Sequence, residues 1–101
     1  MPYLIYARDF DNKSELREGL REAHRSRLRA QGKKLLASGA LLDNDGKTVI
    51  GDISLLDTED PKEAEAFANE DPFAKAGIRQ ETQILQWRRR WWNGSFLESI
   101  S

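Results

Sequence analysis

Four short runs of large apolar and β-branched residues punctuate this chain, with a helically spaced stretch after the first and another after the third. That order constrains the fold more than any other feature. The first run, Tyr3-Leu4-Ile5-Tyr6-Ala7, has no polar break, and a short uninterrupted run reads as a central strand covered on both faces. Asp9 to Asn12 ends it with polar turn residues. Ser14 is a candidate helix N-cap, although Arg17 stands where a capping box needs Glu. Leu16, Leu20, Ala23, His24 and Leu28 follow at helical spacing, with Arg and Glu filling the other side. Gly32 closes this helix, as glycine just past a C-terminus often does.

Lys34 to Leu42 reads as the second strand, interrupted at Gly39. Asp43-Asn44-Asp45-Gly46 is a turn signal and predicts a hairpin into a third strand, Thr48 to Leu56. That strand carries Val49, Ile53 and Leu55 on one face and Ile50 and Leu56 on the other. The second helix has a clear start: Asp60 as N-cap, Pro61 at its first position, Glu63 at its third. Ala64, Phe67 and Ala68 form its apolar stripe. Asp71-Pro72 interrupts it, because proline disfavours helical geometry in the preceding residue. Asp71 then caps a short turn, Pro72 to Ala76, closed by Gly77. Ile78 to Trp87 is the last strand.

The order βαββαβ, with right-handed crossovers, predicts an α+β fold of ferredoxin-like layout. It places two helices on one face of a four-stranded antiparallel sheet. A chain of 101 residues reads as a single domain, with a core over 1–87 and an extension or dimer arm over 88–101. The strands are apolar on both faces, and Trp87, Trp91, Trp92 and Phe96 also need cover. Small soluble domains rarely leave so large an apolar patch bare, so a sheet-to-sheet homodimer is expected.

Composition narrows the chemistry. There is no cysteine, which excludes disulfides and thiolate chemistry and fits a cytoplasmic setting. The net charge is −1, so nucleic acid is not an expected partner, despite Arg88-Arg89-Arg90-Trp91-Trp92. The apolar N-terminus is too short to span a membrane. A single histidine without cysteine, and acidic residues without ligand spacing, predict neither a metal nor a cofactor.

Several features stand together in order. They are Tyr3-Leu4-Ile5-Tyr6-Ala7, then Arg21-x-x-His24-x-x-x-Leu28, then Leu36-Ala37-Ser38-Gly39-Ala40-Leu41, then Asp71-Pro72-Phe73-x-x-Ala76-Gly77. This set resembles the YciI-like (YCII-related) family of the dimeric α+β barrel superfamily, over roughly residues 1–87. The resemblance implies a dimer and a pocket holding a His-Asp pair. The tail from Arg88 onward departs from the family pattern.

His24 has two readings: a core histidine satisfied by a backbone carbonyl, or a general acid or base, since an ordinary imidazole titrates near neutrality. Asp71 is a good N-cap and, by the resemblance, the group that orients His24. Arg21, one turn before His24, either binds an anionic substrate or is a solvated helix residue. Tyr6 and Ser38 are further substrate-binding candidates on neighbouring strands. The expected function is a small cofactor-independent enzyme moving a proton on a small organic substrate. By the resemblance it is lyase- or dehydrochlorinase-like, or an isomerase. The alternative is a non-catalytic ligand-binding or accessory protein on the same scaffold.

Overall fold

The computed structural model describes residues 1–98. Its elements are β1 (Tyr3–Asp9), α1 (Ser14–Ala30), β2 (Leu35–Leu42), β3 (Val49–Leu56), α2 (Pro61–Asn69), α3 (Pro72–Lys75), β4 (Arg79–Gln86), β5 (Trp91–Trp92) and β6 (Ser95–Phe96). Strands β1 to β4 form one antiparallel sheet in the order β2-β3-β1-β4, so β1 is central as its apolar run predicts. One helical turn of 3-10 type, Gly32–Lys34, joins α1 to β2.

The core lies between this sheet and α2. Tyr3 and Ile5 of β1 and Leu56 of β3 pack against Ala64, Phe67 and Ala68 of α2. Asp60 caps α2 as expected, accepting the Lys62 N–H at 2.9 Å. On β1, Tyr3, Ile5, Ala7 and Asp9 are buried, and alternation turns Leu4, Tyr6 and Arg8 to the opposite face. That second face is only partly covered: Leu4, Tyr6 and Ile53 are half-buried and Leu85 is 50% exposed. Gly51 is required where β3 crosses β1, because a Cβ there would overlap the Ala7 carbonyl oxygen.

Three expectations change. Lys13, not Ser14, occupies the N-cap position of α1, and no side chain caps it. The expected apolar stripe of α1 faces inward only in part, at Leu20, His24 and Leu28. Leu16 is 43% exposed and Ala23 is exposed, while Arg17, Leu20, His24, Arg27 and Leu28 are half-buried. Two arginines replace apolar residues because each has partners: Arg17 meets carboxylates, and Arg27 donates to the Phe67 carbonyl at 2.7 Å and the Ala66 carbonyl at 3.3 Å. The latter contact ties α1 to the electronegative last turn of α2. Finally, β4 stops at Gln86, and 91–96 forms its own hairpin around Asn93-Gly94, both at positive φ. Trp91 and Phe96 pair edge-on across it at 5.6 Å and are 64% and 54% exposed. The remainder of the expected extension, 99–101, lies outside the described residues.

Candidate active site

Along the helix-facing side of the sheet the chemistry changes from apolar to polar. The row Ile5, Ser54 and Ile84 is followed by the row Ala7, Asp52 and Thr82. Beyond it, a register shift after Arg8 sets Asp9 opposite Arg79. Such irregularities re-aim side chains. Arg17 reaches down from α1 into the same place. Its Nη1 donates to Asp9 Oδ2 at 2.7 Å and Asp52 Oδ2 at 2.9 Å, and its Nη2 to Asp52 Oδ1 at 3.2 Å. Arg79 Nη1 donates to Asp9 Oδ1 at 2.8 Å and Asp52 Oδ2 at 2.6 Å. Each carboxylate thus bridges two guanidinium groups, the arrangement that buried charges need.

Burial works against the charge on Arg17, but its bonds and attraction to Asp52 and Asp9 outweigh it and raise the guanidinium pKa. Arg17 also stands over the Phe73 ring at 4.2 Å, and Arg79 at 5.2 Å. Phe73 in turn stacks on His24, with ring centres 4.2 Å apart and planes at 21°.

His24 Nδ1 lies 3.0 Å from Asp71 Oδ2 and 3.2 Å from Oδ1. Asp71 Oδ1 also accepts the Phe73 N–H at 2.8 Å, so the carboxylate caps α3 and holds the imidazole at once. Arg79 Nη2 stands 3.7 Å from Asp71 Oδ2. Burial pushes the Asp71 carboxyl up. The hydrogen bond and charge of His24, the Phe73 N–H and the Arg79 charge outweigh it and hold the carboxyl below its usual value. An ionised carboxylate only accepts, which places a proton on Nδ1 and leaves Nε2 of a neutral ring as an acceptor.

His24 stands between two spaces. One is a small chamber of about 20 Å³, lined also by Asp52, Ser54, Asp71, Arg79 and Thr82. The other is a cleft of about 740 Å³ between α1 and the β2–β3 hairpin. Arg21 and Ser38 line this cleft with His24. Arg21 is half-exposed and already bonded to Glu18 at 3.1 and 3.2 Å. Ser38 shares a hydrogen bond with Ser54 at 2.9 Å. Tyr6 is a correction: it is on the other face of the sheet, because one residue along a strand reverses the side chain. Among the described residues, no three His, Asp or Glu groups converge in a way that could hold a metal ion.

The sequence reading missed Asp9, Asp52, Arg17 and Arg79. Asp52 alone left a trace, a charge inside the apolar run from Val49 to Leu56.

Comparison with known proteins bears on this geometry. The YCII-related domain family matches residues 1–88. Among solved structures, 5-chloro-2-hydroxyhydroquinone dehydrochlorinase (TftG) from Burkholderia phenoliruptrix AC1100, in complex with 2,5-dihydroxybenzoquinone, superposes with a TM-score of 0.78. It is 27% identical to this chain, over 87% of this chain and 94% of that one. No curated protein matches. No helix among the described residues is long and apolar enough to cross a membrane.

Proposed function

This chain belongs to the YCII-related family, and from that premise we propose that it is a small, cofactor-independent lyase in which His24 moves a proton on a small organic substrate. One observation carries the reading: an imidazole fixed by Asp71 and Phe73, with 12% of its side chain exposed, at the wall of an open cleft. Neutral His24 accepts a substrate proton at Nε2. The electron pair left behind forms a new double bond, and the leaving group departs with its own bonding pair. In a dehydrochlorinase-like reaction that group is chloride. Asp71 keeps the acceptor nitrogen aimed at the cleft. Three carboxylates, Asp9, Asp52 and Asp71, face two guanidinium groups, so a proton on His24 brings the cluster to charge balance. Ser38 and Arg21 are assigned to substrate contact from the same cleft.

The working unit in this proposal is a cytoplasmic homodimer. Leu4, Tyr6, Ile53 and Leu85 would pack against the same face of a second copy, with 88–98 as an arm along it. Sedimentation at micromolar concentration is expected to give twice the chain mass of 11.6 kDa. A well-folded monomer would count against the dimer.

His24→Gln tests the chemistry. Chloride release from chlorinated hydroxyhydroquinones should fall about 10²- to 10⁴-fold, the usual contribution of a general base, with the fold intact by circular dichroism. Undiminished turnover removes His24 from the reaction. Asp71 is also a helix cap, a role it would keep in a non-catalytic ligand-binding domain on the same scaffold. Ligand binding without turnover in the wild type would select that reading.

A further inference from the structure

The cleft beside His24 carries an uneven charge. Its walls hold Arg17, Arg21, Arg25 and Lys47 against Glu18 and Asp52, in a chain whose net charge is −1. Three of these cations have partners within the protein. Arg17 is locked between Asp9 and Asp52, and Arg21 lies on Glu18, inside the cleft. Arg25 pairs more loosely, with Glu22 at 3.5 Å, and Glu22 lies outside the cleft. The Lys47 ammonium forms no ion pair with any described residue.

Lys47 is nonetheless well placed. The Asp45 carboxylate accepts its backbone N–H and that of Thr48, each at 2.8 Å, and the Thr48 hydroxyl as well. Those bonds, the Thr48 hydroxyl first, hold the Asp45 carboxyl below its usual value, so the anchor stays ionised. The turn therefore presents Lys47 from one wall of the cleft, and α1 presents Arg25 from another. An uncharged ligand gives these two cations nothing that water does not. A negative oxygen that reaches either cation gains a charge-assisted partner.

We propose that the cleft selects a small organic anion, its ionised oxygen held at the mouth by Lys47 and Arg25 and its reacting end toward His24. The fate of the ligand at His24 rests on the lyase reading above; the anion preference does not. Neither residue is distinguished by its neighbours in sequence, and only the fold brings the hairpin turn opposite α1.

The test is calorimetric binding of three probes to the full chain. They are 2,5-dihydroxybenzoquinone, an acidic enol ionised at neutral pH; benzoate, a carboxylate; and hydroquinone, which is uncharged there. At least one anion should bind more tightly than hydroquinone, and the tighter of the two identifies enolate or carboxylate as the preferred group. Its affinity should fall about three- to tenfold in the double variant Arg25→Gln, Lys47→Gln, the worth of two exposed ion pairs. The same affinity should fall as salt is raised towards about 1 M, where charges are screened within about 3 Å. Hydroquinone binding should change in neither case. Equal binding of all three probes, or an unaltered anion affinity in the double variant, overturns the proposal. His24→Gln separates the two readings: lost turnover with retained anion binding sustains both. A wild type that binds the anion through Lys47 and Arg25 but turns nothing over keeps this inference and removes the lyase.

Discussion

Helices α1 and α2 cover the same face of one sheet, yet they do different work. Helix α2 has nine residues and buries Ala64, Phe67 and Ala68. Helix α1 has 17 residues and buries none completely. Its inward positions include Arg17 and His24, and a cleft of about 740 Å³ separates part of it from the β2–β3 hairpin. Apolar area removed from water stabilises the fold through α2. A satisfied buried ion network adds little net stability but fixes geometry. The contrast is between a helix that clamps the sheet and a helix whose residues line the cleft.

The strongest way to break that comparison is Phe67→Ala. It empties a nearly fully buried ring site and should cost about 3–5 kcal/mol in denaturant unfolding. A loss below about 1 kcal/mol would show that α2 is not the main clamp. Arg17→Met comes next. It leaves Asp9 and Asp52 to Arg79 alone, and should cost about 2–3 kcal/mol, below the usual value for breaking a buried pair because one cation remains. A neutral or stabilising result would mean that the network is kept for geometry alone.

The smallest effect sharpens the comparison. Asp71 has its folded-state carboxyl below the ordinary value, so it contributes stability that is present above about pH 4 and lost as pH falls through the lower folded value. Asp71→Asn retains a capping oxygen for the Phe73 N–H while removing the charge. The stability gap between wild type and this variant should therefore narrow as pH falls below about 4. A gap independent of pH would show that the charge of Asp71 contributes nothing to folding.

Much of the fold was legible because its signals are local. The uninterrupted apolar run 3–7 marked the central strand, Asp60-Pro61 opened α2, and Asp71-Pro72 began the short α3 where its cap now lies. The Asn93-Gly94 pair is an equally local turn signal, and it folds 91–96 into a hairpin where an extended arm is expected. The α1 stripe misled, because helical spacing shows which residues share a face but not which face turns inward. Leu16 lost its expected place to Arg17, whose cost of burial is offset by two carboxylates from distant strands.

From its sequence alone this protein's element order, the starts of α2 and α3 and the approach of His24 to Asp71 could be anticipated, since each rests on periodicity, capping or motif resemblance. The tertiary structure decided the rest. Asp9, Arg17, Asp52 and Arg79 are separated by up to 70 residues and become one cluster. Lys47 comes to face α1, and Tyr6 turns away from the site. The reason is physical: whether a charged side chain is solvated, paired or free to take a ligand depends on what other elements set against it, and no local window of residues contains that information.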